Sequence, residues 1–192
     1  MARTETQKFA RGFKTEANRL ATEVRAELGL DHMDRLEPAV LADHLAIPLV
    51  PLTDYTLARP DAVKHFSTVE PSAFSALTVF DGPARLVVFN DAHRDGRQSN
   101  SIVHELSHGL LGHPPHAAVD PATGCRIWYA QLEAEADFLA GVLLVPEWAA
   151  LQIVRRRIAR KEAAELFGVS AALIDYRINV TGARSRVARM QH

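Results

Sequence analysis

The residues best suited to chemistry form the segment His104-Glu105-Leu106-Ser107-His108. Histidines at positions i and i+4 of a helix lie on one face, one turn apart, so both imidazoles can bind one tetrahedral Zn²⁺ ion. The glutamate after the first histidine lies too far round the helix to be the natural third ligand, but it can take a proton from a water molecule at the metal. The spacing therefore predicts that His104 and His108 bind a metal and that Glu105 is the general base of a hydrolytic reaction.

A catalytic zinc site needs a third protein ligand, which must come from another element. Glu133 and Asp137 lie one turn apart on the helix predicted over 127–145. Most other residues of this helix are apolar, and buried carboxylates need a partner or a metal. We predict that Glu133 is the third ligand and that Asp137 orients a ligand histidine through its other ring nitrogen. Glu135 points to nearly the opposite side and is expected to face solvent; the alternatives are Glu135 as the ligand, or three acids in an exposed stripe.

The helix predicted over 96–111 has the two faces that such a site requires. Its large apolar residues lie opposite the motif and can pack into a core; they are Ile102, Val103, Leu106 and Leu110. Asp95, followed three residues later by Gln98, resembles a capping box at the start of this helix. The alternative is an ordinary helix with two surface histidines and a neighbouring glutamate.

The elements around the motif predict an α+β fold, because strands lie between helices without regular βαβ alternation. We expect a short sheet with a β-hairpin beside the motif helix, and further helices at both ends. The predicted helices cover 15–28, 38–45, 147–160 and one or two short stretches after 161. The predicted strands are an edge strand over 46–52 and a hairpin of 76–80 and 85–89.

The chain divides into four predicted segments. These are a disordered N-terminal segment at 1–14, a metallopeptidase-like domain at 15–150, a C-terminal helical segment at 151–182 packed on that domain, and a frayed basic tail at 183–192. The last 41 residues hold nine Lys or Arg and three Asp or Glu, so positive charge is concentrated at the C-terminal end.

Composition excludes several classes of protein. The formal net charge of −1 argues against a nucleic-acid binder that acts through bulk positive charge. A single cysteine, Cys125, excludes an internal disulfide framework and favours a reducing compartment. No apolar run reaches the ~18 residues of a membrane helix, and the charged first thirty residues do not form a signal peptide. We therefore expect a cytoplasmic protein without a membrane partner.

Several of these features together resemble the ImmA/IrrE family of metallo-endopeptidases. The matching segments are the hairpin end 87–90, the motif helix 102–108, the run 133–146 and the segment 164–170, and the resemblance covers roughly 15–182. The family usually has Asn where this chain has Asp137. It also often has a different residue followed by Phe where this chain has Phe138 and Leu139.

The resemblance implies a small zincin fold with Zn²⁺ on His104, His108 and Glu133 and with Glu105 as general base. It also implies a protein substrate, a transcription regulator such as a helix-turn-helix repressor or a toxin–antitoxin partner. Mn²⁺ or Fe²⁺ are the alternative metals. One alternative function is a metal-containing module that binds a regulator without cleaving it.

A second alternative is a DNA-binding regulator. The stretch 159–179 resembles a helix-turn-helix in which Gly168 makes the turn and Ser170 caps the second helix. With Arg155, Arg156, Arg157, Arg160 and Arg177 it could bind DNA; we favour the interpretation that these helices pack beside the catalytic core.

Four further residues have side chains capable of chemistry. His113 and His116 follow the motif helix and could line the cleft, although loop histidines usually face water. Tyr129 could donate to a developing oxyanion, but core packing is the preferred interpretation. Cys125 has no partner at motif spacing and is interpreted as an ordinary thiol.

Overall fold

The computed structural model describes residues 9–82, 84–114 and 129–190. Within them the chain forms nine α-helices and three β-strands, which confirms the predicted α+β class. In chain order they are α1 (Phe13–Glu27), α2 (Pro38–His44), β1 (Leu49–Pro51), α3 (Pro60–Lys64), β2 (Ala76–Asp81), β3 (Ala84–Phe89), α4 (Asp95–Leu110), α5 (Ala130–Leu144), α6 (Glu147–Arg155), α7 (Arg160–Phe167), α8 (Ala171–Val180) and α9 (Ala183–Met190). Short 3₁₀ segments cover Leu52–Tyr55 and Pro71–Ala73, and a π-helical turn covers His65–Val69.

The sheet in the described residues has the strand order β1-β3-β2. The predicted hairpin is present as β2 and β3, which pair antiparallel with Thr78 opposite Val87. The predicted edge strand is present as β1, parallel to β3, but it covers only three residues rather than 46–52. Pro51 ends it because proline has no N–H to donate to a ladder, and the chain turns into 3₁₀ helix directly afterwards.

Helix α5 lies in the core and packs against α1, α4 and α8. Nearly all of its apolar side chains are buried. Two buried arginines satisfy carbonyl groups at its C-terminal end: Arg25 Nη1 donates to the Leu143 carbonyl and Arg177 Nε to the Val145 carbonyl, each at 2.8 Å. Because the last carbonyls of a helix lack partners within it, these bonds allow the end of α5 to be buried.

No single helix in the described part of the chain is long and apolar enough to cross a membrane. Helices α5 and α6 meet the length and composition test only as a pair, bent by 54°.

The predicted disorder of 1–14 is wrong for the residues from Phe9 onward. Helix α1 begins at Phe13, and the Phe9 and Phe13 rings stack with centroids 5.2 Å apart. Both rings also contact Phe138 of α5, at 5.4 and 5.9 Å. Aromatic burial against α5 therefore orders this part of the N-terminal segment.

The C-terminal helices share one hydrophobic cluster with α1, α4 and α5, in which Ala163, Phe167 and Ile174 are fully buried. Gly168 has φ +62 and forms the turn between α7 and α8, and the Ser170 hydroxyl accepts a hydrogen bond from the Leu173 amide at 3.2 Å. These two features agree with the predicted turn and cap.

Two predictions at the C-terminal end are wrong. The tail predicted to be frayed is helix α9, because Ala183 and Val187 lie one turn apart and are both buried. Helix α6 ends at Arg155 instead of continuing to 160, and Arg157 leaves helical geometry with φ 55.

Gly96, in the first turn of α4, lies against the backbone that joins α7 to α8. A Cβ atom here would stand 2.6 Å from the carbonyl carbon of Val169 and 2.8 Å from the amide nitrogen of Ser170. Because backbone cannot swing aside as a flexible side chain can, Gly96→Ala must force the two segments apart. We expect this variant to lower the free energy of unfolding by about 1–3 kcal/mol, measured by urea denaturation.

Gly109→Ala is the matched control on the same helix. The atom nearest to its new Cβ is Nη1 of the flexible Arg85 side chain, at 2.9 Å. Alanine is favoured over glycine inside a helix by about 0.5–1 kcal/mol, so Gly109→Ala should leave the stability unchanged or raise it. Equal stability of Gly96→Ala and the wild-type chain would contradict the close approach of α4 to the α7–α8 turn.

Candidate metal centre

Three side chains from α4 and α5 converge with spacing suited to one metal ion. Nε2 of His104 lies 3.2 Å from Nε2 of His108 and 3.3 Å from Oε2 of Glu133, and Nε2 of His108 lies 3.8 Å from Oε1 of Glu133. A tetrahedral ion with bonds of about 2.0–2.1 Å requires donor atoms about 3.3 Å apart. Two imidazoles and one carboxylate at these separations therefore fit a single divalent ion.

The packing of α4 against α5 brings these donors together. Ile102, Val103 and Leu106 of α4 are buried, as predicted, which turns the motif face toward α5. On α5, the small buried residues Ala136 and Ala140 permit close packing of the helix. Gly141 of the same helix faces α8, because its nearest neighbours are the side chains of Arg177, Leu173 and Tyr176.

The start of α4 differs from the predicted capping box. Arg94 is the N-cap residue and makes no side-chain cap bond, while Asp95 is already helical. The Gln98 amide donates instead to the carbonyls of Asp91 and His93, at 3.1 and 2.6 Å. The glutamine therefore anchors the loop before α4 rather than capping the helix reciprocally.

Asp137 lies behind His104, on the side away from Glu133. Its Oδ1 is 2.8 Å from Nδ1 of His104, while Nε2 of the same ring points to the other donors. This is the predicted contact, which fixes the ring and directs Nε2 toward His108 and Glu133. Asp137 is exposed on its outer side, so solvent reaches this end of the centre.

The two motif imidazoles carry different charge in the metal-free protein. Burial disfavours the His104 imidazolium, but hydrogen bonds to Asp137 and Glu133 outweigh it and raise the pKa of His104 to about 10. Burial and the neighbouring His104 cation lower the pKa of His108 to about 4. At neutral pH the metal-free centre therefore holds one protonated and one neutral ring.

Metal binding should displace the proton from His104. A ligand imidazole must be neutral, and pH 7 lies below the raised pKa of His104, so we expect release of about one proton per bound ion. The apparent affinity should consequently rise about tenfold per pH unit over pH 6–8. Calorimetric titration with Zn²⁺, repeated in buffers of different ionisation enthalpy, measures the number of protons released per bound ion.

Asp137→Asn is the control for proton release, because the amide can still accept from His104 but does not stabilise its cation. On binding Zn²⁺, this variant should release fewer protons per ion than the wild-type protein at the same pH. Absence of proton release from the wild-type protein would contradict a charged His104.

Glu105 is held by a residue of the sheet. Thr78 Oγ1, on β2, donates to Oε2 of Glu105 at 2.7 Å. The bond fixes one of the two carboxylate oxygens of Glu105. Sequence reasoning did not identify Thr78, because a threonine inside a β-rich run is typical of any strand.

Glu135 does not face solvent as predicted. Its side chain is buried, Gln131 Nε2 donates to its Oε1 at 2.9 Å, and Nε2 of His113 lies 3.4 Å from its Oε2. The side chain of His113 is 6% exposed and contacts His108. Helical periodicity places Glu135 opposite Glu133, but it does not show which chain segment covers that side.

The remaining candidates lie away from the donor set or outside the described residues. Tyr129 is 46% exposed at the start of α5, so the predicted core packing is wrong for it. His116 and Cys125 lie outside the described residues.

The helix-turn-helix-like segment is packed as part of the fold. Arg177, which a DNA-recognition helix would present outward, is 1% exposed and bonded to the Val145 carbonyl. Asp175, on the outer part of α8, pairs with Arg160 at 2.8 Å. This arrangement favours packing beside the core over DNA recognition.

Comparison with known proteins agrees with the resemblance carried by the motif. The model of a family described as Peptidase_M78, IrrE N-terminal-like domain, matches residues 60–179. The match covers more than half of the chain and includes His104, Glu105, His108 and Glu133. The comparison with curated proteins gave no match.

Proposed function

The chain belongs to the IrrE N-terminal-like family, Peptidase_M78, whose function is of the metallopeptidase type, and from this premise we propose that it is a zinc endopeptidase. We propose that its substrate is a regulator protein, a helix-turn-helix repressor or a toxin–antitoxin partner, and that cleavage takes place in the cytoplasm. The observation that supports the reaction is the convergence of two imidazoles and one carboxylate at the separations that one zinc ion requires.

The residues of the centre divide the work of peptide hydrolysis. His104, His108 and Glu133 would hold Zn²⁺, which when bound supplies a Lewis acid that polarises the scissile carbonyl and makes water more acidic. Glu105 accepts the proton of the attacking water at Oε1 while Thr78 holds Oε2 in place. The same carboxyl group then donates that proton to the departing amine.

The position of β2 supports an extended substrate. Among the described strands β2 pairs only with β3, so its other side is an edge that can accept a further strand. Thr78 lies in the middle of β2 and contacts Glu105 directly. A peptide paired along this edge would therefore run past the general base, and we propose that regulators are cleaved in an extended or locally unfolded segment.

Detection of new N-termini tests this function. The regulators encoded beside the gene are incubated with the zinc-loaded protein, and the products are examined by mass spectrometry after labelling of free amines. We expect a small number of new N-termini within one regulator, lost when a chelator is added and restored by excess Zn²⁺. A stable complex whose regulator stays intact would overturn the peptidase proposal and favour the binding module.

A further inference from the structure

We propose that His113 and Glu135 are positioning residues that orient the metal ligand His108. This inference rests on the proposed zinc centre and adds a second path of support, separate from the contact between Asp137 and His104.

The contacts run in series from the ligand to a buried carboxylate. Nδ1 of His108 lies 2.8 Å from Nδ1 of His113, and Nε2 of His113 lies 3.4 Å from Oε2 of Glu135. The other carboxylate oxygen, Oε1, accepts from Gln131 at 2.9 Å. His113 and Glu135 are 6% and 11% exposed in their side chains, so water competes little for these bonds.

Metal binding at His108 fixes the direction of every proton in this series. An imidazole that binds a metal through Nε2 carries its proton on Nδ1, so His108 must donate to His113. Nδ1 of His113 then accepts, which places its proton on Nε2, facing the Glu135 carboxylate. The three groups therefore form one consistent donor–acceptor chain with no proton conflict.

The geometry assigns His113 a supporting role rather than a ligand role. It contacts the Nδ1 side of His108, whereas the donor atoms that converge with Glu133 are the Nε2 atoms of His104 and His108. The ring of His113 meets that of His108 edge to face, with centroids 4.9 Å apart and planes at 67°. This contact restricts rotation of the His108 ring about its side-chain bonds.

Each acidic residue of the 133–137 stretch then has a separate task at the same centre. Glu133 contributes a donor atom, Asp137 supports His104 directly, and Glu135 supports His108 through His113. Histidines that bind a metal through one ring nitrogen commonly donate a hydrogen bond from the other, often to a carboxylate. Loss of such a partner typically lowers the metal affinity about 10–100-fold.

Measurement of zinc affinity tests the inference without a substrate. His113→Phe keeps a ring but removes the acceptor for His108, and we expect it to bind Zn²⁺ about 10–100-fold more weakly in competition with a chromophoric chelator. Glu135→Gln retains the shape of the side chain and an acceptor oxygen but removes the negative charge. We therefore expect it to lower the Zn²⁺ affinity less than His113→Phe does. The visible spectrum of the Co²⁺-loaded His113→Phe protein should also differ from that of the wild-type protein, because the ligand ring is no longer held.

His44→Phe is the matched control, since His44 pairs with Glu27 at 3.0 Å and joins α2 to α1. This variant should bind Zn²⁺ as tightly as the wild-type chain. A folded His113→Phe protein that binds Zn²⁺ with wild-type affinity would overturn the inference. If His113→Phe does not fold, wild-type Zn²⁺ affinity of the Glu135→Gln protein would overturn it instead. A wild-type chain that binds no Zn²⁺ refutes the proposed function itself, whereas tight binding without cleavage refutes the peptidase alone.

Discussion

Glu105→Gln should lower the turnover number for regulator cleavage by about 10²–10⁴-fold, the usual contribution of a general base. Glutamine has the same shape and can still accept the hydrogen bond from Thr78, but it cannot take a proton from water. Glu105 is not one of the three residues whose donor atoms converge. The variant should therefore retain wild-type Zn²⁺ content while losing activity, measured by metal analysis and by the initial rate of fragment formation.

Asp95→Asn is the matched control for this experiment. It makes the same carboxylate-to-amide change on the same helix, at an exposed position in the first turn. We expect its cleavage rate to stay close to that of the wild-type protein. Undiminished cleavage by Glu105→Gln would remove Glu105 from the mechanism and leave the metal centre without its proposed base.

Glu133→Gln should weaken Zn²⁺ binding by about 10²–10³-fold. Structural zinc sites bind with about 10–16 kcal/mol over four ligands, so one ligand contributes about 2.5–4 kcal/mol. The amide keeps the size of the side chain and an oxygen atom, but it supplies no negative charge to the metal. Chelator competition at fixed pH measures the change, and activity at low free Zn²⁺ should fall in parallel.

Glu165→Gln serves as the control, because Glu165 is an exposed acid on α7 whose ion-pair partner is Lys161. Its zinc affinity should match that of the wild-type chain. A Glu133→Gln protein that binds Zn²⁺ with wild-type affinity would show that the third metal ligand is a group other than Glu133 of α5.

The motif helix and the hairpin could be predicted because the residues that determine each of them are close together in the sequence. Apolar residues at helical spacing set the buried face of α4, and the short polar turn between β-rich runs set the pairing of β2 with β3. The contact of Asp137 with His104 followed from one further step, since Asp137 is one turn from Glu133 on the same helix.

The missed contacts depend on segments far apart in the chain. Glu135 meets His113, which lies beyond the end of α4, and Thr78 meets Glu105 from a strand. Phe9 and Phe13 are ordered by Phe138, more than a hundred positions later. Helical periodicity reports which side of an element is apolar, but the neighbour of a polar side chain is decided by tertiary packing.

The close approach at Gly96 ties the C-terminal helices of this protein to helix α4. The turn between α7 and α8 rests on the first turn of the helix that carries both motif histidines, and the side chains of α7 and α8 complete the same hydrophobic cluster. A shortened chain that stops near residue 150 would lose the buried side chains that α7 and α8 contribute to the hydrophobic cluster. It would also lose the backbone against which the first turn of α4 packs. We therefore expect residues 15–150 and the C-terminal helices to unfold together in a single transition, so that they cannot be exchanged as separate modules.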